Sequence, residues 1–338
     1  MLFVRRFLSL LVAIIMIFSL ALLAISLNIK FNFSNENKIN NWIDYDSSYS
    51  ILINKITDES VNLIGDQYQV SGINKVIKNA AEKAYPEQTF RQNIKLLLNS
   101  NLNWIKGNTT IPEFNINLIN IKNNFADQIG NYYKNQIEQL PLCSQIQLVE
   151  VNSALAVNCW PPNVSPSVGS NKIKNQILKS NIFLNTNNFS SVNAILNKGS
   201  NNAPYYHQYS KVAKDYQLSQ KLIPYLSIII IVSILFIYFV HPRRQKGVRS
   251  IGWGFIFGGV ITYIYKLIID PYGSKISTNV SNTSSIQAFQ KPIDHFTSSA
   301  IQSLNKTIII NSIVYIIIGF IILITSIFYI LKNRRKDS

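Results

Sequence analysis

Residues 7–27, FLSLLVAIIMIFSLALLAISL, contain no charged side chain over 21 consecutive positions, and this stretch decides the fold. An α-helix rises about 1.5 Å per residue, so a stretch of this length covers the roughly 30 Å hydrocarbon core of a bilayer. Inside hydrocarbon, backbone N–H and C=O groups must bond to one another, which a helix achieves within a single segment. The stretch therefore predicts a transmembrane helix and excludes an ordinary soluble enzyme.

Three further apolar stretches of similar length follow, at residues 222–240, 251–269 and 308–331. Charged residues make up only 14% of the 338-residue chain. A typical soluble protein has about 25%, and the deficit concentrates in these four stretches. The sequence thus predicts an all-α membrane protein with four transmembrane helices. A large, mainly helical extracytoplasmic domain is expected between the first and the second.

Basic residues indicate how the chain is threaded. Arg5 and Arg6 precede the first stretch, the loop 241–250 carries Lys and Arg but no acid, and the tail 332–338 is also basic. Lys and Arg accumulate in the cytoplasmic loops of membrane proteins, so we expect both termini in the cytoplasm and the protein in the cytoplasmic membrane. This placement accounts for much of the net charge of +16. The expected partner of the basic segments is then the lipid bilayer and not nucleic acid.

These patterns set the predicted boundaries along the chain. They are a cytoplasmic N-terminus (1–6), transmembrane helix 1 (7–27), the extracytoplasmic helical domain (28–221), transmembrane helix 2 (222–240), a basic cytoplasmic loop (241–250), transmembrane helix 3 (251–269), a second extracytoplasmic loop (270–307), transmembrane helix 4 (308–331) and a basic cytoplasmic tail (332–338). The alternative for the first stretch is a cleaved signal peptide, because Ala24-Ile25-Ser26 resembles a cleavage site. Its length exceeds the usual ~7–15 apolar residues of a signal peptide, which favours an uncleaved anchor.

Within residues 28–221, apolar side chains recur every three or four positions, as is typical of amphipathic helices, and Gly107 is expected to end one of them. Residues 112–118 instead alternate like a short strand, without an identifiable partner. The only two cysteines, Cys143 and Cys159, both fall in this domain. An extracytoplasmic compartment is oxidising, so they are predicted to form a disulfide. Their spacing is not C-x-x-C and no histidine lies near, which disfavours a metal site.

Two features of the third apolar stretch are candidates for packing or function. Gly254 and Gly258 form a small-x-x-x-small pattern that lets helices approach closely, either within this chain or between copies in a homo-oligomer. Lys266 is the only charged residue inside the four stretches, and Asp270 follows one helical turn later. We interpret Lys266 and Asp270 as a polar pair at the outer membrane interface, where a lysine can extend its ammonium into water. A transport role is the alternative.

The sequence contains no G-x-S-x-G, no H-E-x-x-H, no phosphate loop and no dinucleotide fingerprint. Asp294 and His295 are adjacent, but neighbouring residues on a helix point about 100° apart, which disfavours an acid–base pair. No cofactor and no metal are expected. The leading hypothesis is a non-catalytic protein of the bacterial cell envelope, whose helical domain binds or scaffolds an extracytoplasmic or membrane protein. The alternative is a membrane-embedded enzyme or transporter component that acts on a lipid or envelope precursor at the outer interface.

Overall fold

The computed structural model describes residues 2–65, 73–143, 159, 165–180, 188–190, 205–241, 244–280 and 290–334. This part of the chain is mainly helical. The helices are α1 (Leu2–Phe33), α2 (Glu36–Asn40), α3 (Tyr45–Gly65), α4 (Ile73–Ala84), α5 (Glu87–Lys106), α6 (Ile119–Glu138), α7 (Pro166–Lys179), α8 (Tyr205–Gln208), α9 (Ser210–Val240), α10 (Arg244–Val280) and α11 (Gln290–Arg334). The strands are β1 (Asn115–Asn117) and β2 (Asn188–Ser190).

Four of the helices, α1, α9, α10 and α11, are long and apolar enough to cross a membrane. The predicted all-α fold with four such helices is confirmed, and these helices indicate a multi-pass membrane protein. Each helix extends beyond its apolar stretch, and α11 reaches 45 residues. The backbone groups of a helix bond to one another in water as well as in hydrocarbon. Apolar composition therefore predicts the membrane span but not the residues at which the helix begins and ends.

Backbone contacts divide the chain into two compact units. The membrane-helix unit comprises Met1–Asp44, Ile105–Asn108 and Ser210–Ser338, and the helical domain comprises Tyr45–Trp104 and Thr109–Tyr209. The domain predicted at 28–221 therefore differs from the observed unit, because residues 28–44, 105–108 and 210–221 belong with the membrane helices. The difference arises because α1 and α9 continue past their apolar stretches and α2 packs against α1.

Helices α10 and α11 run antiparallel in direct contact, which their glycines permit. A Cβ atom added to Gly319 would lie 2.7 Å from the carbonyl oxygen of Gly252. A Cβ atom added to Gly259 would lie 2.8 Å from the carbonyl oxygen of Ser312, whose hydroxyl donates to the Gly259 carbonyl at 2.7 Å. Small residues such as glycine and serine allow two helix backbones to approach this closely.

Helix α1 packs against all three other membrane helices. Its Met16 and Leu20 are buried in a cluster with Ile230 and Ile237 of α9 and Ile251 of α10. Dense packing of this kind fixes the rotation of α1 about its own axis, since a different face would leave these side chains without neighbours.

In the helical domain, α4 packs against α3 and α6, and α6 packs against α7. Phe125, Ile129, Tyr133 and Ile137 are buried at four-residue intervals along α6, which gives this helix one continuous apolar face. The predicted strand forms as β1 and pairs antiparallel with β2, a partner that the sequence pattern did not reveal.

Gly107 directly follows α5 and has a φ of 81°, in the left-handed region. Glycine adopts this conformation without the clash that a Cβ atom would cause, and it commonly ends helices for that reason. The predicted helix end at Gly107 is confirmed.

Replacing Gly259 by Val should force α10 and α11 apart, because the new side chain would overlap Ile316 and the Ser312 backbone. We expect the free energy of unfolding to fall by about 1–3 kcal/mol, the usual cost of overpacking. Thermal unfolding in lipid nanodiscs measures this loss. Val260→Leu is the matched control, because Val260 is 40% exposed. An equal loss in both variants would contradict the packing role of Gly259.

Candidate functional site

The helical domain has a polar cleft of about 420 Å³ between α6 and α7. Its lining residues are Asn123, Ala126 and Asp127 of α6 with Asn171, Lys174, Asn175 and Leu178 of α7. Each asparagine amide both donates and accepts hydrogen bonds. The walls therefore combine three amides with one side chain of each charge, which suits a polar ligand.

A charged pair connects the two walls of this cleft. Lys174 Nζ lies 2.5 Å from Asp127 Oδ1, and the two side chains are 28% and 53% exposed. A pair this exposed contributes only about 0–1 kcal/mol to stability. A carboxylate has a second oxygen and an ammonium has three donors, so both groups retain hydrogen-bonding capacity for a ligand.

Contacts beside the cleft hold α6 and α7 at a fixed separation. A Cβ atom added to Gly130 would lie 2.7 Å from Lys174 Cγ, and Ser170 Oγ donates to the Gly130 carbonyl at 2.8 Å. Near the other end of α7, Lys122 Nζ donates to the Ser180 carbonyl at 2.7 Å, and partial burial lowers the pKa of Lys122. These contacts set the separation of the two walls of the cleft.

A second polar cluster in the helical domain surrounds Arg91 of α5. Its guanidinium forms ion pairs with Glu87 of α5 and with Asp46 of α3, and it lies 4.9 Å from the centroid of the Tyr45 ring. The hydrogen bond to Glu87 is the main reason that the pKa of Arg91 is raised. These contacts join α3 to α5, and we interpret them as structural because every charge of the cluster is already paired.

Buried tyrosines lie beside this cluster. Tyr49 donates its hydroxyl proton to the Tyr85 carbonyl at 2.9 Å, and the Tyr85 hydroxyl accepts from Asn93 Nδ2 at 3.0 Å. Burial raises the pKa of Tyr85 above the ordinary value of 10.0, although the Asn93 hydrogen bond lowers it in part. Burial likewise raises the pKa values of Tyr45 and Tyr49.

The helical domain should therefore lose stability in alkali. A raised phenol pKa contributes stability that is complete below about pH 10 and is lost as the pH rises through the folded-state pKa. We expect Tyr85→Phe to lose about 1 kcal/mol at pH 7 through the Asn93 hydrogen bond, and to show a shallower decline above pH 10. Urea unfolding between pH 7 and pH 11 measures both effects. Tyr209→Phe, which removes an exposed phenol, is the control and should keep the wild-type slope.

In the membrane-helix unit, buried polar side chains join α1 to α11. Asn28 and Asn32 are 3% and 0% exposed. Asn32 Nδ2 donates to Asn28 Oδ1 at 2.6 Å and to Thr307 Oγ1 at 3.2 Å, while Ser303 Oγ donates to Asn32 Oδ1 at 2.7 Å. Asn32 thereby uses its donors and its acceptor together, which explains how an amide can be fully buried here.

Aromatic rings surround the same end of this unit. The Trp42 ring contacts Phe33 at 5.7 Å and Phe296 at 5.9 Å between centroids, and Phe33 lies 6.5 Å from Tyr216. His295 Nδ1 donates to the Trp42 carbonyl at 3.2 Å. His295 thus remains exposed while it binds the backbone near α2.

The predicted disulfide between Cys143 and Cys159 is confirmed. The residues between position 143 and position 159 lie outside the described part of the chain. A loop of this size stabilises the folded state by about 3 kcal/mol through loop-closure entropy.

The structure places both predicted packing glycines against α1 of the same chain. A Cβ atom on Gly254 would overlap the Met16 side chain, and one on Gly258 would lie 3.1 Å from Leu20 Cβ. The close approach that the pattern predicts therefore occurs between α10 and α1, which is the intramolecular alternative.

Lys266 and His295, two ionisable residues from which an enzyme at the outer interface could build a polar pocket, lie at different levels of the bundle. Lys266 lies seven residues beyond Gly259 on α10, so the antiparallel contact of Gly259 with Ser312 places Lys266 level with Asn305. His295 is ten residues from Asn305 on α11, which is about 15 Å along the axis. Lys266 Nζ lies 6.0 Å from the centroid of the Tyr263 ring. The side chain of Asp270 lies outside the described residues, so the Lys266–Asp270 pair stays a prediction.

Sequence reasoning missed the α6–α7 cleft and the Asn32 hydrogen bonds. Asn123 and Asp127 are spaced by four, as are Asn171 and Asn175, so each polar wall was visible as a helical stripe. The pairing of the two stripes was not visible. Among the described side chains, no group of three or more His, Cys, Asp or Glu could hold a metal ion. No protein-family model, curated protein or solved structure matches the chain.

Replacing Asn32 by Leu should leave Asn28 and Ser303 without their buried partner. We expect a loss of about 1–2 kcal/mol, near the upper range measured for hydrogen bonds between membrane helices. Thermal unfolding of Asn32→Leu, Ser303→Ala and the double variant gives the coupling energy between the two side chains. Strictly additive losses would show that the bond between Asn32 and Ser303 contributes nothing.

Proposed function

We propose that this chain is a non-catalytic, membrane-anchored binding protein of a bacterial cell envelope. In this proposal the helical domain is extracytoplasmic, and its α6–α7 cleft binds a protein partner. The observation that carries the proposal is the cleft itself, whose walls are joined by a hydrogen bond and an exposed ion pair and are lined by amides.

The basic segments support an extracytoplasmic position for the helical domain. Arg5 and Arg6 lie in the first turns of α1, before its apolar stretch, and Lys246 and Arg249 lie in the chain between α9 and the apolar part of α10. If these segments are cytoplasmic, the chain between α1 and α9 is on the opposite side of the membrane. The disulfide agrees with this position, because such bridges persist in oxidising compartments.

A polypeptide segment matches the chemistry of the cleft. Backbone amides present alternating donors and acceptors, which asparagine side chains can satisfy from both walls. Asp127 and Lys174 provide one partner for each sign of charge on the segment. Leu178, 37% exposed at the rim, adds an apolar contact. Polar residues with a small apolar surface are typical of reversible interfaces.

The position of the helical domain can be tested in intact cells. An antibody against the helical domain should label them, and an antibody against a tag that follows Ser338 should label them only after permeabilisation. Labelling of the tag in intact cells would reverse the threading and contradict the proposed location.

Binding at the cleft can be tested by photo-cross-linking in cells. A photoreactive amino acid at Asn175 should give an adduct of one discrete mass, whereas the same amino acid at Lys55, on α3, should not. The variant Asp127→Asn with Lys174→Gln should reduce the Asn175 adduct at least fivefold, because it removes both charges of the cleft.

The matched control removes a second exposed ion pair on the same helix, Lys134–Glu138, whose nitrogen and oxygen lie 3.7 Å apart. Lys134→Gln with Glu138→Gln should leave the Asn175 adduct unchanged. Equal adducts from Asn175 and Lys55, or equal losses in the two charge variants, would contradict binding at the cleft.

A further inference from the structure

Each of the four membrane helices carries one lysine near the end of its apolar stretch that is distant from the basic segments. These residues are Lys30 of α1, Lys221 of α9, Lys266 of α10 and Lys306 of α11. Three of them are exposed, and Lys266 is half-buried. Contacts between the helices determine whether the four lie at one depth.

The contacts of α11 with α1 place Lys306 level with Lys30. Asn32 bonds to Thr307, and Asn311 Nδ2 donates to the Ala24 carbonyl at 3.4 Å, so the two helices are antiparallel here. The contact of Asn32 with Thr307 places Lys306 opposite residue 33 of α1, and the contact of Ala24 with Asn311 places it opposite residue 29. Lys30 lies within that interval.

The contacts of α10 with α1 place Lys266 at nearly the same level. Gly254 and Gly258 contact Met16 and Leu20, so these two helices are parallel. Lys266 is eight residues beyond Gly258, and eight residues beyond Leu20 is position 28.

The contacts of α9 with α1 place Lys221 there as well. The Tyr216 ring contacts Phe33, and the Tyr216 hydroxyl lies 3.3 Å from Ser34 Oγ. The helices are antiparallel, and Lys221 is five residues beyond Tyr216, which puts it opposite positions 28–29. The four lysines therefore lie level with positions 28–33 of α1, within about one and a half helical turns, or roughly 7.5 Å, along the bundle.

Exposed tyrosines lie about one turn closer to the middle of the bundle. Tyr225 of α9 is 65% exposed and Tyr263 of α10 is 44% exposed, and the same registers place them opposite positions 24–25. Tyrosine is enriched at the boundary between hydrocarbon and headgroups, because its ring is apolar and its hydroxyl is polar. The lysines then lie at the level of the phosphates.

The length of the helices agrees with this depth. Along α1, Arg6 and Lys30 are 24 residues apart, which is about 36 Å. Along α11, Lys306 and Lys332 are 26 residues apart, or about 39 Å. Both separations approach the roughly 40–45 Å between the headgroup regions of a bilayer.

We propose that Lys30, Lys221, Lys266 and Lys306 form a ring that binds the phosphate groups of anionic phospholipids in one leaflet. A lysine stem covers apolar surface while its ammonium reaches the headgroups. Within one turn of these lysines, the four helices carry a single acidic residue, Asp270, so the ring has an excess of positive charge. The ring binds lipid whether or not the α6–α7 cleft binds a protein.

The test compares two fourfold variants of the full-length protein in detergent, titrated with phosphatidylglycerol and followed by native mass spectrometry. The ring variant replaces the four ring lysines by Gln, and the control replaces Lys55, Lys78, Lys95 and Lys134 of the helical domain by Gln. An interfacial lysine contributes a factor of about five in anionic-lipid binding. We expect the ring variant to need at least five times more phosphatidylglycerol for half-occupancy, and the control to match the wild type.

Two further arms keep the result decisive. Replacing the four ring lysines by Arg keeps the charge and should keep the binding, and Lys30→Gln with Lys306→Gln provides a milder variant if the fourfold variant does not fold. Inorganic phosphate at the same concentration should not displace the lipid, because it lacks the acyl chains that lie along the lysine stems. Unchanged binding in both Gln variants of the ring, or displacement by inorganic phosphate, would overturn the proposal.

Discussion

The contact of α1 with the glycine face of α10 is the interaction on which the membrane-helix unit depends. Hydrocarbon gives two apolar helices no hydrophobic reason to associate, so close van der Waals packing and interhelical hydrogen bonds must supply the stability. Gly254 and Gly258 admit Met16 and Leu20, while Gly252 and Gly259 on another side of the same helix admit α11. Because α10 is closely packed on two sides, its register with α1 and with α11 is fixed together.

A fixed register determines where polar groups can be buried. Asn32 is fully buried and can be tolerated only where Asn28, Ser303 and Thr307 arrive at the same level. A shift of α11 by one turn would leave the buried amides of Asn28 and Asn32 without these partners, and a buried polar group without a partner costs about 1–3 kcal/mol. The hydrogen bonds therefore select one register among those that apolar packing alone would allow. The level of the four lysines follows from the same register.

The sequence predicts most strongly those features that depend on neighbouring residues. An uncharged stretch predicts a span, Gly107 predicts a helix end, and two cysteines in one domain predict a disulfide, since each rests on local composition or on the only available partner. The strand β2 could not be predicted, because Asn188–Ser190 lies in an Asn- and Ser-rich segment without alternation. Its pairing with β1 is a contact between distant parts of the chain.

The candidate cleft could not be predicted from the sequence for the same reason, because it is formed by two distant segments of the chain. Polar stripes on α6 and α7 look like ordinary solvated faces, and for most amphipathic helices that reading is right. What distinguishes them is the contact of Gly130 with Lys174, which brings the stripes face to face and places Asp127 within bonding distance of the Lys174 ammonium. An exposed ion pair adds little to stability, so selection for folding alone gives a weak reason for it. Under the proposed function, recognition of a partner would give a stronger one, because paired charges on a fixed support are already oriented for binding.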